Sequence, residues 1–106
     1  ATIGRGCFVA AGAIVGPGAL LEMGVIVNHG AVVDHDVQLG AFCHVAPNAT
    51  LGGSVRVGQR VLVGASAVVL PGIVIADDVV VGAGAVVRAP LLSAGTYVGV
   101  PARKIG

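Results

Sequence analysis

Every sixth residue from Ile3 to Val87 is Val, Leu or Ile: Ile3, Val9, Val15, Leu21, Val27, Val33, Leu39, Val45, Leu51, Val57, Val63, Val69, Ile75, Val81 and Val87. No insertion interrupts the series. The position two residues earlier, from Ala1 to Ala85, is always Ala, Val, Cys or Ile. Apolar residues two apart point to the same side of an extended strand, so each hexad predicts a short strand with a large and a small inward residue. Glycine keeps the same frame: 14 of the 18 glycines lie one or three residues after the large aliphatic. Those are turn positions, where glycine permits backbone conformations that other residues resist. A period of six does not match the 3.6 of an α-helix. Antiparallel hairpins would not hold one unbroken register through such short turns. A parallel β-helix fits the pattern. Three hexads make one triangular coil, and coils stack at about 4.8 Å. Residues 1–90 then form about five coils, with Ile3, Leu21, Leu39, Val57 and Ile75 in one interior column. Only 3% of the residues are aromatic, in keeping with a narrow interior that has little room for rings.

Composition narrows the function. Apolar residues make up 56% and charged ones 10%, yet Gly, Pro or a polar residue breaks every apolar run within a handful of positions. A spanning helix needs about 20 predominantly apolar residues, so no membrane span is expected, and no charged-then-apolar leader opens the chain. The net charge is +1 and basic residues are scattered. That argues against a nucleic-acid partner, which calls for several phosphate-neutralising side chains.

On these hexads the chain resembles the left-handed parallel β-helix of the hexapeptide-repeat acyltransferases. The left hand is an implication of that resemblance, since a period carries no handedness. Tyr97–Lys104 resembles the closing segment of these enzymes. Ala1 already sits at an inward position, which reads as a chain beginning inside the repeat. After Val87 the hexad fails at Arg88-Ala89-Pro90, so residues 91–106 are expected to cap the catalytic β-helix of residues 1–90. The small N-terminal α/β sugar-nucleotide-binding domain of the family is expected to be absent. The resemblance also implies a homotrimer.

Departures from the repeat concentrate in residues 28–44: Asn28, His29, Asp34, His35, Asp36, Gln38 and His44, including all three histidines. Asn28 and Asp34 occupy turn positions often held by Gly and read equally as turn formers. The Asp34-His35-Asp36 run is more distinctive, because a carboxylate beside an imidazole can hold its tautomer. Asn28–Pro47 resembles the active-site stretch of the sialic acid O-acetyltransferase family, in its UDP-4-amino-sugar N-acetyltransferase branch, and Ser66–Asp78 resembles the same branch. By that resemblance His35 is the general base and Asp36 supports it. His44 contacts acetyl-CoA, and the backbone at Ala65 and Ala83 lines its pantetheine arm. Asn28 and Asp34 lie near the sugar. The implied reaction is acetyl transfer to an amino group or hydroxyl of a nucleotide-linked or acidic sugar in bacterial glycan biosynthesis. The acceptor is a small sugar, and no metal is expected.

Hexad arithmetic adds a geometric expectation. His35 and His44 are nine residues apart, half a coil, and should lie on different sides of one prism. If both serve one acetyl-CoA, they come from neighbouring chains. Cys7 and Cys43 share a column two coils apart, about 9.6 Å by the strand spacing, beyond disulfide reach. Two buried, reduced thiols suit a cytoplasmic protein. Arg56 and Arg60 read as a solvated edge or a trimer contact; Arg103 and Lys104 read as partners of coenzyme A phosphates or as a solvated tail.

Two other functions share this architecture. A gamma-class zinc carbonic anhydrase would use three histidines across an interface, but the spacings here lack a close pair. A structural or ice-binding β-helix would want a threonine ladder, and Thr2, Thr50 and Thr96 share no column.

Overall fold

The computed structural model describes residues 1–106 and contains only strands and turns. Strands β1 (Thr2–Ile3), β4 (Leu20–Leu21), β7 (Gln38–Leu39), β10 (Arg56–Val57) and β13 (Val74–Ile75) form the first face. The second face runs from β2 (Phe8–Val9) through β5 (Ile26–Val27), β8 (His44–Val45), β11 (Leu62–Val63) and β14 (Val79–Val81) to β16 (Gly95–Val98) and β17 (Arg103–Lys104). The third face comprises β3 (Ile14–Val15), β6 (Val32–Val33), β9 (Thr50–Leu51), β12 (Val68–Val69) and β15 (Val86–Val87). Every pairing up to β16 is parallel, and the register advances by one coil: Ile3 pairs Leu21, Val9 pairs Val27, Val15 pairs Val33. This is the all-β, roughly five-turn parallel β-helix that the period of six predicts.

The register explains the core. Both inward residues of each central hexad are shut off from water, and Leu21, Leu39 and Leu51 are among the largest side chains fully buried. A buried aliphatic side chain contributes about 1.5–3 kcal/mol, so stacking identical small contributions holds the prism together without a helix or an aromatic centre. No buried side-chain nitrogen or oxygen lacks a partner. The outermost coil is less protected: Ile3, inward by register, is 51% exposed.

Both thiols point into this core and donate to backbone carbonyls, Cys7 to Glu22 and Cys43 to Gly58. Both are free. Burial pushes the Cys43 thiol up to about 11.

The ladder does not stop where the hexads lose their frame. Leu91 bridges Ile75 and Tyr97 pairs Val81, each sixteen residues on instead of eighteen. A coil shortened by two residues thus continues the columns, and the side chains of Leu91 and Tyr97 close the end of the core. The Tyr97 hydroxyl donates to the Ser93 carbonyl at 2.8 Å, which satisfies its polar end. Strand β17 then turns back antiparallel on β16.

Candidate active site

The sequence-predicted site residues divide between two edges of the prism. Asp34, His35 and Asp36 form the turn between β6 and β7, at the edge joining the third face to the first. His44 lies on the second face, in β8. Asn28, Ala65 and Ala83 occupy turns at the edge joining the second face to the third, and the two alanines are exposed one coil apart.

At the first of these edges the backbone of His35 is held from both sides. Its N–H donates to Asp34 Oδ1 at 2.7 Å, and its carbonyl accepts from the Ser54 amide of the next coil at 2.9 Å. Asp36 follows with φ 59°, a left-handed conformation that aspartate tolerates better than most residues. That turn carries its carboxylate back to the imidazole: Asp36 Oδ2 lies 3.1 Å from His35 Nδ1. A carboxylate accepts at Nδ1–H, which leaves Nε2 with the free lone pair of the neutral ring. The two side chains are 56% and 65% exposed. An exposed imidazole with one nitrogen fixed and the other free can take a proton from an incoming nucleophile.

The second edge shows a contact that hexad arithmetic does not offer. The His29 amide donates to Asn28 Oδ1 at 2.8 Å, which fixes the orientation of the Asn28 side chain. Its Nδ2 then faces His44 Nε2 at 3.2 Å. That ring nitrogen accepts, so the His44 proton sits on Nδ1. Asn28 and Asp34 thus both act as turn formers, each satisfying the amide that follows it.

No group of three or more His, Cys, Asp or Glu side chains comes together within one chain as a metal site would require. Arg60, left open between a solvated edge and an interchain contact, pairs with Asp78 one coil on at 2.7 and 3.1 Å. The pairing and hydrogen bonding hold the Asp78 carboxyl below its usual range and push the Arg60 guanidinium up. Lys104 reaches Ser93 Oγ at 3.4 Å.

Sequence reading missed Gly53. It lies one coil beyond His35, and a side chain there would run into the imidazole. The available signal was the eighteen-residue column itself.

Short strands, mostly of two residues, with one coil per three hexads define a hexapeptide-repeat β-helix. The family described as bacterial transferase hexapeptide (six repeats) matches residues 54–89, and hexapeptide repeat of succinyl-transferase matches residues 1–35. Each of these two matches spans about a third of the chain, and both fall on the repeat.

Among solved structures it is similar to the acetyltransferase domain of PglB from Neisseria gonorrhoeae FA1090 in complex with acetyl coenzyme A. The TM-score is 0.97 at 39% identity, covering 98% of this chain and 51% of that one. A mutant of perosamine N-acetyltransferase from Caulobacter crescentus, in complex with CoA and GDP-perosamine, matches at a TM-score of 0.77. Its identity is 35%, over 99% of this chain and 57% of that one. WeeI from Acinetobacter baumannii AYE shares the fold, with a TM-score of 0.78 at 24% identity over 98% of this chain and 54% of that one. The chain therefore spans about half the length of these proteins. No curated protein matches the chain.

Proposed function

We propose that this chain is the catalytic β-helix of an acetyl-CoA-dependent acetyltransferase. Its acceptor is an amino group, or a hydroxyl, of a nucleotide-linked or acidic sugar used in bacterial glycan biosynthesis. The observation that carries the reading is the His35–Asp36 dyad, 3.1 Å apart on an exposed turn with Nε2 left free. The two similar structures with acetyl-CoA or CoA bound, one also with GDP-perosamine, support the co-substrate and the class of acceptor. The UDP-linked 4-amino sugars remain the preferred acceptors on the resemblance of residues 28–47 and 66–78.

A thioester is already activated, so the enzyme needs no acyl intermediate of its own. His35 Nε2 takes the proton from the acceptor as its nitrogen or oxygen bonds to the acetyl carbonyl carbon. The carbon–sulfur bond breaks and coenzyme A leaves as the thiolate, which takes that proton from His35 to become the thiol. General-base help of this kind is worth about 10²–10⁴-fold, and holding the two substrates together supplies much of the rest. Asp36 keeps the His35 proton on Nδ1. His44, with its Nδ1–H available, donates to acetyl-CoA, and the small side chains of Ala65 and Ala83 leave the same edge open for the pantetheine arm.

These two groups of residues sit on different edges of one prism. The third face lies between them, and its outward row is Ile14, Val32, Thr50, Val68 and Val86, without a charge. Packing of this face in a homotrimer would bring the His35 edge of one chain to the His44 edge of its neighbour. Each active site would then lie between two chains. The two free thiols suit a cytoplasmic setting.

A panel of nucleotide-linked 4-amino sugars and sialic acid, incubated with acetyl-CoA and the chain, tests the acceptor. Acetylated amino sugar in the products supports the reading. Acetyl-CoA that fails to bind at all would remove it.

A further inference from the structure

The position two residues after the large aliphatic is the first residue of each turn. Across fifteen hexads it holds Arg, Ala, Pro, Met, His, Gln or Asp, and glycine only once, at Gly53. The glycines three residues after the aliphatic have an evident reason: Gly6, Gly12, Gly18, Gly24, Gly30, Gly72 and Gly84 all have positive φ. Gly53 does not share it, for its φ lies outside that region and any residue could adopt its backbone. The turn therefore does not explain the glycine.

Its neighbour does. Gly53 is buried, and the three atoms nearest a Cβ placed there are Nε2, Cε1 and Cδ2 of the His35 imidazole, with Cε1 at 2.6 Å and Cδ2 at 3.0 Å. Real Cβ atoms do not come that close, so any side chain at 53 must displace the ring. The same corner in the other coils carries Pro17, Pro71 and Ala89, none of which meets a histidine from the coil before it. The place where a Cβ would sit is taken by the catalytic imidazole.

We propose that Gly53 is a positioning residue for His35: its missing side chain is the seat in which the imidazole rests against the next coil while Asp36 holds Nδ1. This inference rests on the reading of His35 as the base, and it adds a specific requirement at a residue eighteen positions away. Because the obstructed atoms are the end of a side chain and not backbone, a methyl group at 53 should push the ring aside and leave the coil intact.

The test is Gly53→Ala, read by the position of the His35 ring in a crystal structure or by its NMR shifts, and by steady-state kinetics. The expected result is a displaced ring, a nearly unchanged Tm, and a fall in kcat on the order of 100-fold, as misplacement by about 1 Å produces. The affinity for acetyl-CoA should hold. In a His35→Ala background the same substitution should cause no further loss, the non-additivity of groups acting as a unit. An imidazole that stays in place in Gly53→Ala overturns the proposal. A ring that moves while turnover is unchanged leaves the seat standing and removes His35 as the base. If Gly53→Ala alone does not fold, the double variant decides: a folded His35→Ala/Gly53→Ala chain supports the seat, and an unfolded one overturns it.

Discussion

Two turns of this solenoid carry polar residues at the same hexad positions, and they do opposite things. At Asp77-Asp78, Asp77 Oδ1 accepts from the Gln59 amide at 2.8 Å and Asp78 grips Arg60, so both carboxylates staple one coil to the coil before it. At His35-Asp36 the side chains bond only to each other. Exposure does not separate the two pairs: His35 and Asp36 are 56% and 65% exposed, and Arg60 and Asp78 are 52% and 51%. What differs is the neighbouring coil. Arg60 stands one coil before Asp78 and offers a partner, whereas Gly18 and Gly53 flank the dyad and offer none. A polar turn in a stacked repeat is structural when the column supplies its partner, and is free for chemistry when the column is emptied around it.

The largest effect should come from the free pair. His35→Ala is expected to lower kcat by about 10²–10⁴-fold, with Tm unchanged, since the side chain bonds to no other coil. A Tm loss of several degrees would make His35 a staple and erase the contrast. The division of site residues between edges gives the next effect. Mixing His35→Ala chains with His44→Ala chains and allowing exchange should restore activity, because some interfaces then pair an intact His35 with an intact His44. Activity that stays at the level of the separate variants at every mixing ratio would count against a site built from two chains.

The thiols sharpen the contrast between interior and surface. Cys43 is fully buried and Cys7 half-buried in the same column. A thiol whose folded value is raised to about 11 from 9.0 contributes stability that is fully present below 9 and is lost as pH rises through 11. Alkylation near pH 8 should therefore mark Cys7 first and reach Cys43 only on unfolding. Rapid labelling of Cys43 in the native state would contradict its place in the core. The smallest effect belongs to the staple. Arg60→Ala should leave kcat unchanged and lower Tm slightly, less so in high salt. The depressed Asp78 carboxyl contributes stability above the usual carboxylate range and loses it as pH falls through its folded value. Stability of Arg60→Ala and the parent chain should accordingly converge in acid.

Much of this was legible without coordinates because the repeat has no insertions. A fixed step of eighteen places every residue over another, so the core columns and the separation of His35 from His44 follow from arithmetic. The same arithmetic held Gly53 under His35 and Arg60 beside Asp78, but composition alone does not say which column neighbours touch. Asn28 and His44 are sixteen apart, off any column, and their contact depends on how one turn side chain leans along the edge. The end of the helix was obscured for a related reason. Leu91 and Tyr97 keep the inward pattern but arrive two residues early, so a strict frame reads as broken where the coil has only shortened.

On the proposed mechanism, a free imidazole on one turn performs the proton transfer of acetyl transfer from a thioester. The most direct measurement is thiol release from acetyl-CoA in the presence of a nucleotide-linked 4-amino sugar, comparing the parent chain with His35→Ala at saturating co-substrate. Turnover should fall to near background in the variant while acetyl-CoA still binds. Equal rates in the two proteins would contradict it.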